Sequence, residues 1–168
     1  MASTLIVEDG TGVTNANSYQ SIADLATYAG IRGVTLPATD AARDLLMLKA
    51  MDYIEAQRER FKGCKTDPDQ SLQWPRTDVW IDGSLKSSTY IPREWCYAQF
   101  NLALEAINYD LQPNILPTDR GPVIETQVGP LKKVYANTGS RSKVPAFAKP
   151  DAQLAVLYKN NGLFAIRA

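Results

Sequence analysis

The stretch Phe61–Pro92, FKGCKTDPDQSLQWPRTDVWIDGSLKSSTYIP, decides how the fold is read. It separates two segments of helical periodicity and carries two of the three tryptophans, Trp74 and Trp80, in a connection rich in Gly, Pro, Asp and Ser. A connection of this length inside a compact domain is either functional or disordered, and the aromatics argue against disorder. Residues 61–92 therefore read as an ordered aromatic loop that packs on its own domain or on a neighbour. Trp74, Pro75, Arg76 and Trp80 are its packing or interface candidates. The rival use of Trp74, Trp80 and Trp95, with Arg76 alongside, is stacking on the bases of a single strand. Asp67, Asp69, Asp78 and Asp82 stand there against Lys62, Lys65, Arg76 and Lys86, so the loop offers a phosphate backbone little and packing is favoured.

Upstream, Thr39 precedes a helix expected from Asp40 to about Arg60. Ala42, Leu45, Leu46, Ala50, Tyr53, Ile54 and Phe61 follow the 3.6-residue period, and Gly63 ends it. Downstream, Pro92 suits the first position of a second long helix with Trp95, Ala98, Gln99, Leu102, Ala106 and Ile107 along one stripe, stopping before Pro113. Pairing of these two helices across the loop is the main architectural expectation.

Nearer the N-terminus, Thr4–Val7 is a short β-type run closed by Asp9-Gly10 and Gly12. Ser21 with Asp24 then opens a short helix carrying Ile22, Leu25, Ala26 and Ala29, with Gly30 as its C′ residue. Val123–Val128 and Leu131–Tyr135 form a hairpin around Gly129-Pro130, residues 136–143 a polar loop, and Asp151–Tyr158 a last helix. The expected fold is mainly α: one small helical domain over 1–168, with two long antiparallel helices, a short β-hairpin and extended terminal arms at 1–20 and 159–168. Leu163, Phe164 and Ile166 make the C-terminal arm apolar and mark it for docking on a partner.

Formal charge is zero, which weakens the case for a dedicated nucleic-acid binder. It is unevenly spread. Residues 1–119 hold ten Lys and Arg against sixteen Asp and Glu, and residues 120–168 hold eight against two, so the body is net −6 and the tail +6. Opposite ends suit head-to-tail contacts between copies. Lys132, Lys133, Arg141 and Lys143 are the basic candidates to face DNA or a partner. No run approaches the roughly 20 apolar residues of a membrane span, and MASTLIVEDG lacks signal-peptide features, so a soluble cytoplasmic protein is expected. Cys64 and Cys96 have no CxxC spacing, and reduced thiols are favoured over a bridge.

There is no histidine, which removes the commonest general base and zinc ligand, and neither GxGxxG nor GxxxxGK[ST] occurs. The Asp67, Asp69, Asp78 and Asp82 group lacks EF-hand spacing and reads as turn residues. No catalytic residue, metal or cofactor is expected, and the protein is read as no enzyme.

The runs FKG, TDP, LQWPRTDVW and IP, with LIVEDGTGVTNANSY, VGPLKKVY and PAF, resemble the small neck proteins of tailed phages, a family labelled DnaT-like single-stranded-DNA-binding. The resemblance spans nearly the whole chain. It implies a non-enzymatic head-to-tail adaptor or connector in the virion neck, present in the host cytoplasm during assembly. It also implies a homo-oligomeric, dodecameric ring that binds portal and tail or neck proteins and touches channel DNA non-specifically, with no membrane partner. The rivals are a DnaT-like single-stranded-DNA-binding protein, and another neck component such as a tail terminator or head-closure protein.

Overall fold

The computed structural model describes residues 3–114, 123–127, 132–135 and 146–159, with backbone alone for the second and third ranges. Helix α1 (Ile22–Ile31) starts at a complete capping box: Ser21 Oγ accepts from Asp24 N–H, and the Asp24 carboxylate accepts from Ser21 N–H. Gly30 lies inside the helix, which is capped by Arg32, while Gly33 takes the left-handed conformation beyond it. Helix α2 (Asp40–Glu55) is capped by Thr39 Oγ1 and buries Leu46, Met47, Ala50, Met51 and Ile54. Leu45, expected on the core face, is 52% exposed.

Helix α2 also stops earlier than its periodicity suggested. A short 3₁₀ turn (Arg58–Arg60) follows, and Gly63 enters strand β1 (Cys64–Lys65) at φ +65°. A Cβ at Gly63 would stand 2.0 Å from the Thr77 carbonyl oxygen, so close approach to β2 (Arg76–Thr77), not helix termination, requires that glycine. Strands β3 (Trp80–Ile81) and β4 (Ser84–Leu85) follow, then α3 (Arg93–Glu105), β5 (Val123–Gln127), β6 (Lys132–Tyr135) and α4 (Ala148–Ala155).

The expectation of a mainly α domain built on two long antiparallel helices is wrong. The architecture is mixed: among the described residues four helices accompany three two-stranded antiparallel ribbons, β1–β2, β3–β4 and β5–β6. Two of the ribbons are made from the stretch read as a loop, because its turn residues let short segments pair locally. Helix α3 packs against both α2 and α4 and buries residues around most of its circumference.

Nor is residues 1–20 an extended arm, as far as it is described. Ala16, Ser18 and Tyr19 are buried, and the tie is polar. Gln99 on α3 donates through Nε2 to Ser18 Oγ at 2.8 Å and accepts through Oε1 from Tyr19 N–H at 3.2 Å. Buried amides persist only with such partners. The expected β-type run is reduced to a single bridge, Val7 to Ser18. The C-terminal arm beyond Lys159 lies outside the described residues.

A second tie runs through a carboxylate. The buried Asp44 carboxylate accepts from Ser3 Oγ at 2.7 Å, Thr4 N–H at 2.7 Å and Thr4 Oγ1 at 3.2 Å. Burial alone would raise its pKa, but these donors outweigh it and hold the carboxyl below its ordinary 3.8. A depressed folded value stabilises the folded state above pH 3.8, and that contribution is lost as pH falls through the folded value. Melting curves of the wild type and Asp44→Asn should therefore differ at neutral pH and converge in acid; a constant gap would contradict this role for Asp44.

Candidate functional site

Strands β3 and β4 are joined by Asp82 and Gly83, both at positive φ, as a tight two-residue hairpin turn demands. Side chains alternate along β3: Val79 and Ile81 point into the core, so Trp80 points out. Trp80 pairs across the ribbon with Leu85, which places both on one face. They are 57% and 56% exposed. A tryptophan displayed with a neighbouring leucine is a feature of this surface that folding does not explain.

A cation lies against its backbone. Lys62 Nζ donates to the Trp80 carbonyl at 3.4 Å and to the Val156 carbonyl at 2.8 Å, joining the ribbon to the end of α4. Phe61 forms a bridge with Tyr158, and Lys159 N–H donates to the Arg60 carbonyl at 2.7 Å. The Arg60 guanidinium lies 3.9 Å from the centre of the Tyr158 ring. Burial raises the Tyr158 phenol while Arg60 opposes it, and the hydroxyl donates to Gln57 Oε1. Among the described residues Arg60, Lys62 and Lys159 enter no ion pair, whereas nearby Glu59 faces Arg58 at 3.2 Å. Asp78 and Asp82 are the exposed acids of the ribbon.

Over residues 3–168 the sequence matches the family described as "Putative DnaT-like ssDNA binding protein". The chain belongs to that family. No curated protein and no solved structure matches it.

In this DnaT-like chain the expected site residues separate. Trp74 is 0% exposed, edge-on to Trp95 with ring centres 5.8 Å apart, and Trp95 is equally enclosed. Pro75 is buried as well, after a cis peptide bond. Arg76 is a buried staple: Nε donates to the Lys62 carbonyl at 2.7 Å, and its terminal nitrogens reach the Gly63 carbonyl at 2.8 Å and Gln73 Oε1 at 3.0 Å. Only Trp80 of the four loop candidates is displayed. Lys132 and Lys133 stand in β6 opposite Gln127 and Thr126. Arg141, Lys143, Leu163, Phe164 and Ile166 lie outside the described residues.

Arg60, Tyr158 and Lys159, none of them among the site residues expected from sequence, meet across about a hundred positions with no local signal. The β3–β4 ribbon was not expected either, although Asp82-Gly83 between alternating segments is a hairpin signature. Cys64 and Cys96 are both free, and burial pushes the Cys96 thiol up. Among the described residues no three His, Cys, Asp or Glu side chains group as metal ligands, and no helix is long and apolar enough to cross a membrane. A larger hollow of about 590 Å³ shares no residue with the Trp80 face; Asp67 and Asp69 line it without any Lys or Arg, which suits it poorly to phosphate.

Proposed function

We propose that this chain is a non-enzymatic protein that binds single-stranded DNA, using Trp80 as a stacking platform. The observation that carries the reading is the exposed Trp80 ring on a ribbon that Lys62 ties to the end of α4, where Arg60 and Lys159 meet, all three cations entering no ion pair among the described residues. Sequence-tolerant single-strand binding needs an aromatic face for the base and positive charge along the backbone. Trp74 and Trp95 supply neither, being enclosed. The family description supports the same reading. Anisotropy of a labelled oligothymidylate should show saturable binding that weakens steadily as salt rises. Absence of binding even at low salt would overturn it.

A second reading is favoured by the apolar side of the same face. Trp80 and Leu85 together, flanked by Asp78 and Asp82, also suit a protein partner. In that reading the chain is a structural subunit of a tailed-phage neck. It forms a ring between portal and tail around the DNA channel, through contacts between its −6 body and +6 tail, and acts as adaptor, tail terminator or head-closure protein. Native mass spectrometry separates the two: rings formed alone or with portal, without affinity for single strands, would favour the neck role.

A further inference from the structure

We infer that the hollow of about 410 Å³ lined by Glu59, Arg60, Tyr158 and Lys159 is a phosphate subsite for the nucleotide next to the one stacked on Trp80. This rests on the single-stranded-DNA reading and adds a division of labour to it, with the base held on the ribbon and the backbone at the end of α4.

The end of a helix ordinarily repels an anion, because its last carbonyls are unpaired. Here they are engaged: Leu154 and Ala155 carbonyls accept from Leu157 and Tyr158 N–H, and Lys62 covers the C-cap carbonyl and the one after it. Its ammonium takes the Val156 carbonyl at 2.8 Å and its backbone N–H takes the Leu157 carbonyl at 2.9 Å. With those oxygens engaged, the local charge is set by side chains. Arg60 spends one nitrogen on Gln57 Oε1 at 2.8 Å and sets its guanidinium over the Tyr158 ring, which fixes the group while leaving further N–H donors uncommitted among the described residues. Lys159 is exposed on the same wall, anchored through its N–H to the Arg60 carbonyl. Glu59, the single acid in the lining, is engaged with Arg58. The Lys62 ammonium touches both the Trp80 carbonyl and the Val156 carbonyl, which ties the ribbon to the chain two residues before Tyr158 in the lining of the hollow.

The test is a salt series of oligothymidylate anisotropy on the full chain and on Arg60→Gln/Lys159→Gln, with Lys159→Gln alone as the milder variant. Each lost single-strand phosphate contact should flatten the slope of log K against log salt by about 0.7, so the double variant should lose about 1.4 and the single about 0.7. A control pair removing the same charge elsewhere, Arg32→Gln/Lys49→Gln, should keep the wild-type slope. Unchanged slopes in the variants with binding intact, or equal flattening in the control, would overturn the subsite and leave the DNA reading standing. No binding by the wild type would overturn both.

Discussion

Trp74→Ala lowers the unfolding free energy by about 3 to 5 kcal/mol, the usual cost of truncating a fully buried large aromatic. The site cannot collapse to recover the loss. Trp74 is edge-on to Trp95, which in turn meets Tyr19 at 5.5 Å and Phe61 at 4.7 Å between ring centres, so the missing ring leaves a void against a side chain already held by two others. Its backbone is tied as well: Trp74 N–H donates to the Tyr19 hydroxyl at 2.8 Å, which donates back to the Trp74 carbonyl at 3.2 Å. Trp74→Phe should cost distinctly less. It keeps most of the apolar volume and removes an indole N–H that has no acceptor among the described residues. Urea unfolding curves of the three proteins check both statements. Equal stability of wild type and Trp74→Ala would mean that this ring is not a core anchor.

Trp80→Ala should behave in the opposite way. The ring is more than half in water, so its removal leaves the melting temperature close to the wild-type value, while affinity for oligothymidylate falls about 5- to 150-fold. That range follows from roughly 1 to 3 kcal/mol for one base stacked on one aromatic. Trp80→Phe should recover part of the loss, since a smaller ring still offers a π-face. If Trp80→Ala keeps its DNA affinity but no longer assembles with portal protein, the ribbon is a protein-docking face and the neck role gains what the DNA role loses.

What could be read from the sequence was what neighbours decide. The capping box at Ser21 and Asp24 marked the start of α1, and Pro92 marked the start of α3 to within one residue, because both signals act over a single turn. The end of α2 was misplaced because Gly63 looked like a helix stop, when its partner is the Thr77 carbonyl across a ribbon. The two ribbons in residues 61–92 escaped because each strand is two residues long, too short for periodicity to show, although Asp82-Gly83 signalled one of the turns. The N-terminal segment looks like an arm in the sequence because its anchors, Asp44 and Gln99, lie about 40 and 80 positions away.

The candidate site divides along the same line. Trp80 and Trp74 are six residues apart in similar company, and only the alternation Val79-Trp80-Ile81 in a paired strand sends one outward. That Lys62 ties this strand to the end of α4, where Arg60 and Lys159 meet, depends on the packing of α4 against the 3₁₀ turn, which no local pattern encodes.

The most direct measurement is a titration of the protein with oligothymidylate at low salt, followed by its own tryptophan emission. Stacking of a base on the exposed ring predicts a saturable quench in the wild type that disappears in Trp80→Ala, with the enclosed Trp74 and Trp95 contributing no change. An emission unaltered by DNA, or a quench that survives in Trp80→Ala, would contradict the account.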